Sequence, residues 1–204
     1  MKEVLITQLR DKNSDRNVYR ETTDQLAFLM AQEITKHLRT EEIPVETPCG
    51  PANGSKWVDD VVLVPILRSG VAMLHTFLKV FPNARVGFIG LQRNEETSVA
   101  SQYYLNLPAI TGKEHIVILD PMIATGGSAL ATLNKLCELG AKPEKISLCS
   151  FISAMEGEER VRREYPDVRI LVAQQDLELN AQNFIVPGLG DFGDRYFGTA
   201  QEER

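Results

Sequence analysis

The chain has 204 residues, 43% of them hydrophobic and 25% charged, with a net charge of −6 at pH 7. That composition is ordinary for one soluble globular domain with a substantial core. The acidic balance argues against nucleic acid and membrane as partners, since both need a basic face.

The one local basic cluster, Arg160, Arg162 and Arg163, alternates with Glu158, Glu159 and Glu164, as on a solvated helix face. No signal peptide and no apolar run long enough to cross a bilayer is present, so a cytoplasmic location is expected. Cys49, Cys137 and Cys149 are odd in number and lack metal-ligand spacing. Cys137 and Cys149 lie in apolar patterns and read as buried free thiols. His37, His75 and His115 are scattered and read as structural.

In chain order, Val4 to Leu9 reads as a strand. A helix is expected near 23–38, with Thr22 and Gln25 at capping-box spacing and Leu26, Leu29, Met30 and Ile34 on one face. Residues 41–57 read as a loop, given Pro44, Pro48, Gly50, Pro51 and Gly54. Val61 to Leu67 is apolar on both faces, as in a strand buried within a parallel sheet, and a helix over 70–81 follows it to Pro82. Val86 to Gly90 is another short strand, and 92–100 a polar arm. The strand His115–Leu119 leads to a helix with Leu130, Leu133, Leu136 and Leu139, closed by Gly140. A strand over 145–151, a polar helix over 155–165 and a strand over 168–173 complete the alternation. The pattern predicts an α/β fold, a mostly parallel twisted sheet flanked by helices, with ligands beyond the carboxyl ends of the strands.

The most informative stretch follows the His115 strand. It ends on Asp120 and passes through Ala124, Thr125, Gly126, Gly127 and Ser128 into a helix. A helix start offers free N–H groups and a positive dipole end, and glycines let the backbone curl around an anion. Thr125 and Ser128 add hydroxyls, and Asp120 is placed to accept hydrogen bonds from a sugar diol. Any strand–Gly-Gly–helix turn in an open α/β protein has this outline. However, no G-x-x-x-x-G-K-[ST] and no G-x-G-x-x-G after a strand is present, so a P-loop and a dinucleotide site are unsupported.

Three further segments belong with this turn. Pro65-Ile-Leu-Arg-Ser-Gly70 puts Arg68 at a strand end, where a guanidinium can fork onto phosphate. Gln92 to Thr97, with Tyr103 and Tyr104 on the return, reads either as a solvated excursion or as a lid carrying Arg93. Residues 183–199 are too rich in glycine for a long helix or central strand. Their interleaved Phe184, Ile185, Leu189, Phe192, Tyr196 and Phe197 imply packing, and their free main chain suits a flat polar ligand.

Together these segments resemble the uracil phosphoribosyltransferase family of the type I phosphoribosyltransferases. Ile118 to Ser128 resembles the family's 5-phosphoribosyl-1-pyrophosphate (PRPP) signature, with its Asp120-Pro121 pair. Ile66 to Gly70 resembles the pyrophosphate loop, Arg93 to Thr97 the flexible arm, and Ile185 to Asp191 the uracil loop. Leu9 to Asn13 and Val45 to Pro48 are also similar. The resemblance implies one domain over 1–204, with a flexible arm about 91–107, a base-binding loop about 183–199 and a small hood built from the terminal segments. It implies that Arg68 and Arg93 contact PRPP and that Asp120, Pro121, Met122, Ile123, Ala124, Thr125, Gly126, Gly127 and Ser128 hold its ribose 5-phosphate. Ile185, Gly190, Asp191 and Phe192 would line the uracil site, with Asp191 reaching PRPP or its Mg²⁺, an ion carried by PRPP rather than held directly by the protein.

The resemblance further implies formation of UMP and pyrophosphate in pyrimidine salvage, a homodimer or higher homo-oligomer, and in some relatives activation by GTP. Phe192 stands where many members have a small residue, and Ser69 where alanine is common. Phe192 is expected to point away from the base while its backbone does the recognition. The rival readings are a phosphoribosyltransferase for another base and a non-catalytic PRPP or uracil sensor.

Overall fold

The computed structural model describes residues 1–93 and 100–199. Helix α1 (Lys2–Arg10) occupies the stretch expected as a strand. Its buried residues, Leu5, Ile6 and Leu9, lie three and four apart, and a short apolar run does not separate the two periods. Helix α2 (Arg16–Thr35) starts well before the expected capping box. Asp15 caps it, its carboxylate accepting from the amides of Asn17 (2.8 Å) and Val18 (2.9 Å). Thr22 and Thr23 are instead buried inside the helix.

Strands β1 (Thr40–Thr47) and β2 (Gly50–Trp57) form an antiparallel hairpin where a loop was expected. Pro44 and Pro51 lie within its ladder. Both strands are edges, so a missing N–H is tolerated. Strand β3 (Val61–Leu67) and helix α3 (Val71–Val80) match expectation. The next strand is split at Gly87 into β4 (Arg85–Val86) and β5 (Phe88–Arg93), and β6 (Ala100–Asn106) returns antiparallel to β5. Residues 94–99 of the expected arm lie outside the described residues.

Strand β7 (His115–Leu119), the short β8 (Met122–Ile123) and helix α4 (Gly127–Glu138) carry the glycine turn. They are followed by β9 (Ile146–Ala154), α5 (Met155–Glu164) and β10 (Arg169–Asp176). The tail forms β11 (Glu178–Leu179), β12 (Ile185–Val186) and the six-residue α6 (Phe192–Phe197).

The main sheet runs β10-β9-β7-β3-β5-β6, all parallel except β6. Alternate side chains of β3 and β7 feed two cores. Leu63, Val117 and Leu119 face α1, α2 and α3, while Val62, Val64, Ile116 and Ile118 face α4 and α5. The chain leaves β3 toward β5 and β6, then returns to the other side of β3 with β7. The strand order therefore reverses between β3 and β7, where open α/β sheets place a crevice.

The charged face of α5 is less solvated than its sequence suggests. Glu158 is buried and accepts from Ser153 Oγ (2.9 Å), Gln175 Nε2 (2.8 Å) and Arg162 Nη2 (2.6 Å). Cys149 is buried and Cys137 half-buried.

His115 is buried at the start of β7, with Nε2 3.0 Å from Ser147 Oγ. Burial holds its pKa down at about 4 against 6.5. The native imidazole thus stays neutral where the unfolded chain takes up a proton, and stability declines as pH falls from about 6.5 toward 4. Between pH 7.5 and 5 the expected loss is roughly 2 kcal/mol from this group. Urea midpoints at the two pH values check this, and in His115→Asn the difference should shrink. It should not vanish, because burial also lowers the His37 pKa. Glu114, held at about 2, loses its contribution only between about pH 4.5 and 2, outside that window.

Candidate active site

Two chain reversals meet at the β3/β7 switch. The first is the β3–α3 link, Arg68 to Gly70, which follows a cis Leu67–Arg68 peptide. The Gly70 amide bonds to Ile66 O at 2.8 Å. A Cβ on Gly70 would stand 2.2 Å from Leu119 O, so the link packs directly against the last residue of β7. Only glycine permits that approach.

The second is the turn after β7. Asp120, Met122, Ile123, Ala124, Thr125, Gly126, Gly127, Ser128 and Ala129 line a small pocket of about 50 Å³. Pro121 is buried beneath, its carbonyl accepting from the amides of Phe151 (3.0 Å) and Ile152 (3.2 Å). Gly126 has φ +76° and opens α4 without a side-chain cap. A helix start of that kind presents amides and a positive dipole end to an anion. Helix α5 backs the turn from behind. A Cβ on Gly157 would lie 2.0 Å from Ala124 O, and Arg160 Nη1 donates to Thr125 O at 3.3 Å.

The tail joins from the side. Gly188 and Gly190 have positive φ and follow a cis Val186–Pro187 bond. Asp191 caps α6, its Oδ1 accepting from the Asp194 amide at 2.8 Å. A Cβ on Gly193 would meet Ser69 Oγ at 2.9 Å and Arg68 Nη2 at 3.8 Å, which puts α6 against the β3–α3 link. Arg68 donates from Nη2 to Asp194 Oδ1 at 3.3 Å and from Nη1 to Thr199 Oγ1 at 3.4 Å, and it lies over the Phe197 ring. Phe192 is turned inward. Its ring packs on Tyr19 (5.5 Å), Phe151 (5.7 Å) and Tyr196 (5.7 Å), in the core beneath the loop.

Beneath this loop Tyr19 is fully buried, and its hydroxyl has no partner among the described residues. Burial pushes its phenol up, Arg195 opposes the rise, and Asp191 adds to it.

The structure thus gathers Arg68, Asp120 to Ser128, and Gly190 to Phe192 at one edge. Ile185 is buried in β12 two residues before the cis-proline turn. The Arg93 backbone ends β5, three residues past Gly90, itself paired with Leu67. Its side chain lies outside the described residues. Sequence reasoning missed Asp194, the partner of Arg68, and Gly157, which sits in a helix whose charge pattern conceals it. It also missed Arg10, Asp176 and Arg195, which hold the tail. The only signal for these was that Arg10 and Arg195 fall inside segments already singled out.

The parallel sheet, its switch point and the glycine turn define a type I phosphoribosyltransferase fold. A purine phosphoribosyltransferase from Pyrococcus horikoshii shares it, with a TM-score of 0.53 at 12% identity over 76% of this chain and 83% of that one. The AQ2163 protein from Aquifex aeolicus is far more similar, with a TM-score of 0.91 and 35% identity over 98% of this chain and 96% of that one.

The sequence matches the profile of the uracil phosphoribosyltransferase family over residues 2–199. Uracil phosphoribosyltransferase from Dictyoglomus thermophilum is 46% identical over 196 residues, 95% of this chain and 93% of that protein. The enzyme of that name from Halalkalibacterium halodurans is 45% identical over 195 residues, with 95% and 92% covered. The chain belongs to the uracil phosphoribosyltransferase family.

Proposed function

We propose that the protein transfers the phosphoribosyl group of PRPP to uracil, giving UMP and pyrophosphate. The observation that carries this is the meeting of an arginine link, a phosphate turn and a cis-proline loop at one strand-order reversal. The family match supports uracil over another base and over a sensor. The turn from Asp120 to Ser128 binds the ribose 5-phosphate, with Asp120 on the diol. Arg68, joined by Arg93, meets the diphosphate. Uracil N1 attacks the anomeric carbon as pyrophosphate departs, so the protein's task is positioning and charge stabilisation. Uracil presents an acceptor–donor–acceptor edge that the backbone of Ile185 and Gly190 to Phe192 can read. Cytosine would set an amine against an N–H donor and leave a buried group unpaired.

Mg²⁺ suits this donor set, because it binds through one or two carboxylates plus substrate phosphates. Asp191, whose Oδ1 accepts from the Asp194 amide, is the carboxylate that would reach the ion. Bound on the diphosphate, the ion would neutralise developing charge. Among the described residues no three His, Cys, Asp or Glu side chains cluster as metal ligands.

The hairpin of β1 and β2 supports a homodimer or higher assembly. Its eight pairs are exposed on nearly every residue, and a lone two-stranded hairpin is marginal in water. No described helix is long and apolar enough to cross a membrane. A cytoplasmic setting is in keeping with three free thiols.

The test is product formation from PRPP and Mg²⁺ with a panel of bases, with GTP present and absent. UMP from uracil alone supports the reading. Product from another base discards the base assignment, and PRPP binding without product leaves a sensor. Asp120→Asn should weaken PRPP binding more than uracil binding, and wild-type affinity in a PRPP titration would overturn the diol role.

A further inference from the structure

Resting on the uracil reading, we infer that the half-buried Arg10–Asp176 pair is a positioning element for the base, acting through the Gly188 peptide. Arg10 ends α1 and Asp176 ends β10, and neither lies in the phosphate turn or the β3–α3 link. Asp176 Oδ1 accepts from Arg10 Nη2 at 2.5 Å, and its Oδ2 accepts from the Gly188 amide at 3.0 Å. Arg10 Nη1 donates to the Gly188 carbonyl at 3.3 Å. Both polar groups of one residue are thus held by one ion pair, whose carboxylate side chain is 4% exposed.

A pair of this kind adds little net stability over apolar packing. What it supplies is geometry, because the fork takes the C=O while the carboxylate takes the N–H, and the ion pair fixes the two relative to each other. Gly188 has φ +58°, and a Cβ there would stand 2.0 Å from Ile185 O, so the loop has one close-packed path at this point. Downstream, Arg195 secures the same loop. It donates to Leu189 O (2.9 Å), to Asp11 O (2.6 Å) and to Leu9 O, with its guanidinium 4.4 Å from the Tyr19 ring centroid.

The two half-sites therefore have separate supports. The phosphate turn rests on α5 through Gly157 and Arg160, whereas the loop assigned to the base rests on Arg10, Asp176 and Arg195. Loosening the Gly188 grip displaces the backbone that reads the base and leaves the PRPP turn in place.

The decisive variant is Arg10→Lys. It keeps a cation beside Asp176 but gives up the planar fork, whose two separated nitrogens fix the spacing between Asp176 and the Gly188 carbonyl. The expected result is a uracil KM raised by roughly fivefold or more, with a clearly smaller rise in PRPP KM, since Asp191 rides on the same loop while the turn from Asp120 to Ser128 stays in place. An unchanged uracil KM overturns the inference, and so does an equal rise in both KM values, which would indicate general loosening. If Arg10→Lys does not fold, Asp176→Asn is measured in the same way and decides. Failure of both to fold also overturns the positioning role. Wild-type protein in the same assay separates the two readings. No UMP there removes the uracil assignment and this inference with it, whereas UMP with unaffected variants removes this inference alone.

Discussion

Arg68→Ala is expected to lower kcat/KM for PRPP by about two to three orders of magnitude, the usual cost of removing one donor aimed at developing charge. The guanidinium stands at the carboxyl end of β3, with its side chain 58% exposed. Its present bonds, 3.3 Å to Asp194 and 3.4 Å to Thr199, are long for charged partners, so its donors are free to be taken over by a diphosphate. An exposed ion pair of this kind contributes at most about 1 kcal/mol, and the thermal midpoint should move little. The loss would therefore be one of transition-state stabilisation. Arg68→Lys should recover only part of it, because an ammonium keeps the charge without the fork. Steady-state kinetics with PRPP varied at saturating uracil, beside a thermal melt, separate these outcomes. A fall smaller than about fivefold in Arg68→Ala would take Arg68 out of the diphosphate site.

The central sheet and the glycine turn after β7 were legible in the sequence because their signals are local. A strand apolar on both faces, Val61 to Leu67, admits few other readings, and Asp120 to Ser128 carries its chemistry in adjacent residues. The N-terminal third was less legible. Val4 to Leu9 is too short for its period to be decided without the α2 surface it packs on. The hairpin was obscured because Pro44 and Pro51 normally argue against strands, and a two-stranded ribbon, having no central strand, escapes that argument. Asp15 was missed as a cap because Thr22 and Gln25 offered the familiar spacing about two turns too far inside. At the candidate site the residues proposed to bind lie in local motifs, whereas those that brace them do not. Arg10 and Asp176 are 166 positions apart in the chain, and no local pattern joins them.

Gly157→Ala tests whether the phosphate turn is a preformed cradle. In an exposed helix this change would stabilise the protein by up to about 1 kcal/mol, since alanine is the better helix former. Here the new methyl would stand 2.0 Å from Ala124 O and 3.0 Å from the Gly126 amide, both main-chain atoms of the turn. Neither is the flexible end of a side chain, so α5 and the turn must separate. The expected cost is about 1–3 kcal/mol of stability, the range for overpacking. A shift of the Ala124–Gly126 backbone misaims the amides at the start of α4, and PRPP affinity should fall by roughly tenfold or more, the size of one or two lost charge-assisted hydrogen bonds. Uracil KM should change less, because the loop from Gly188 to Phe192 is braced by Arg10, Asp176 and Arg195 instead of α5. Calorimetric titration of PRPP and a urea midpoint measure the two effects independently. A stabilised variant with full PRPP affinity would mean that the turn yields without losing its ligand, and the cradle would then form around the phosphate instead of awaiting it.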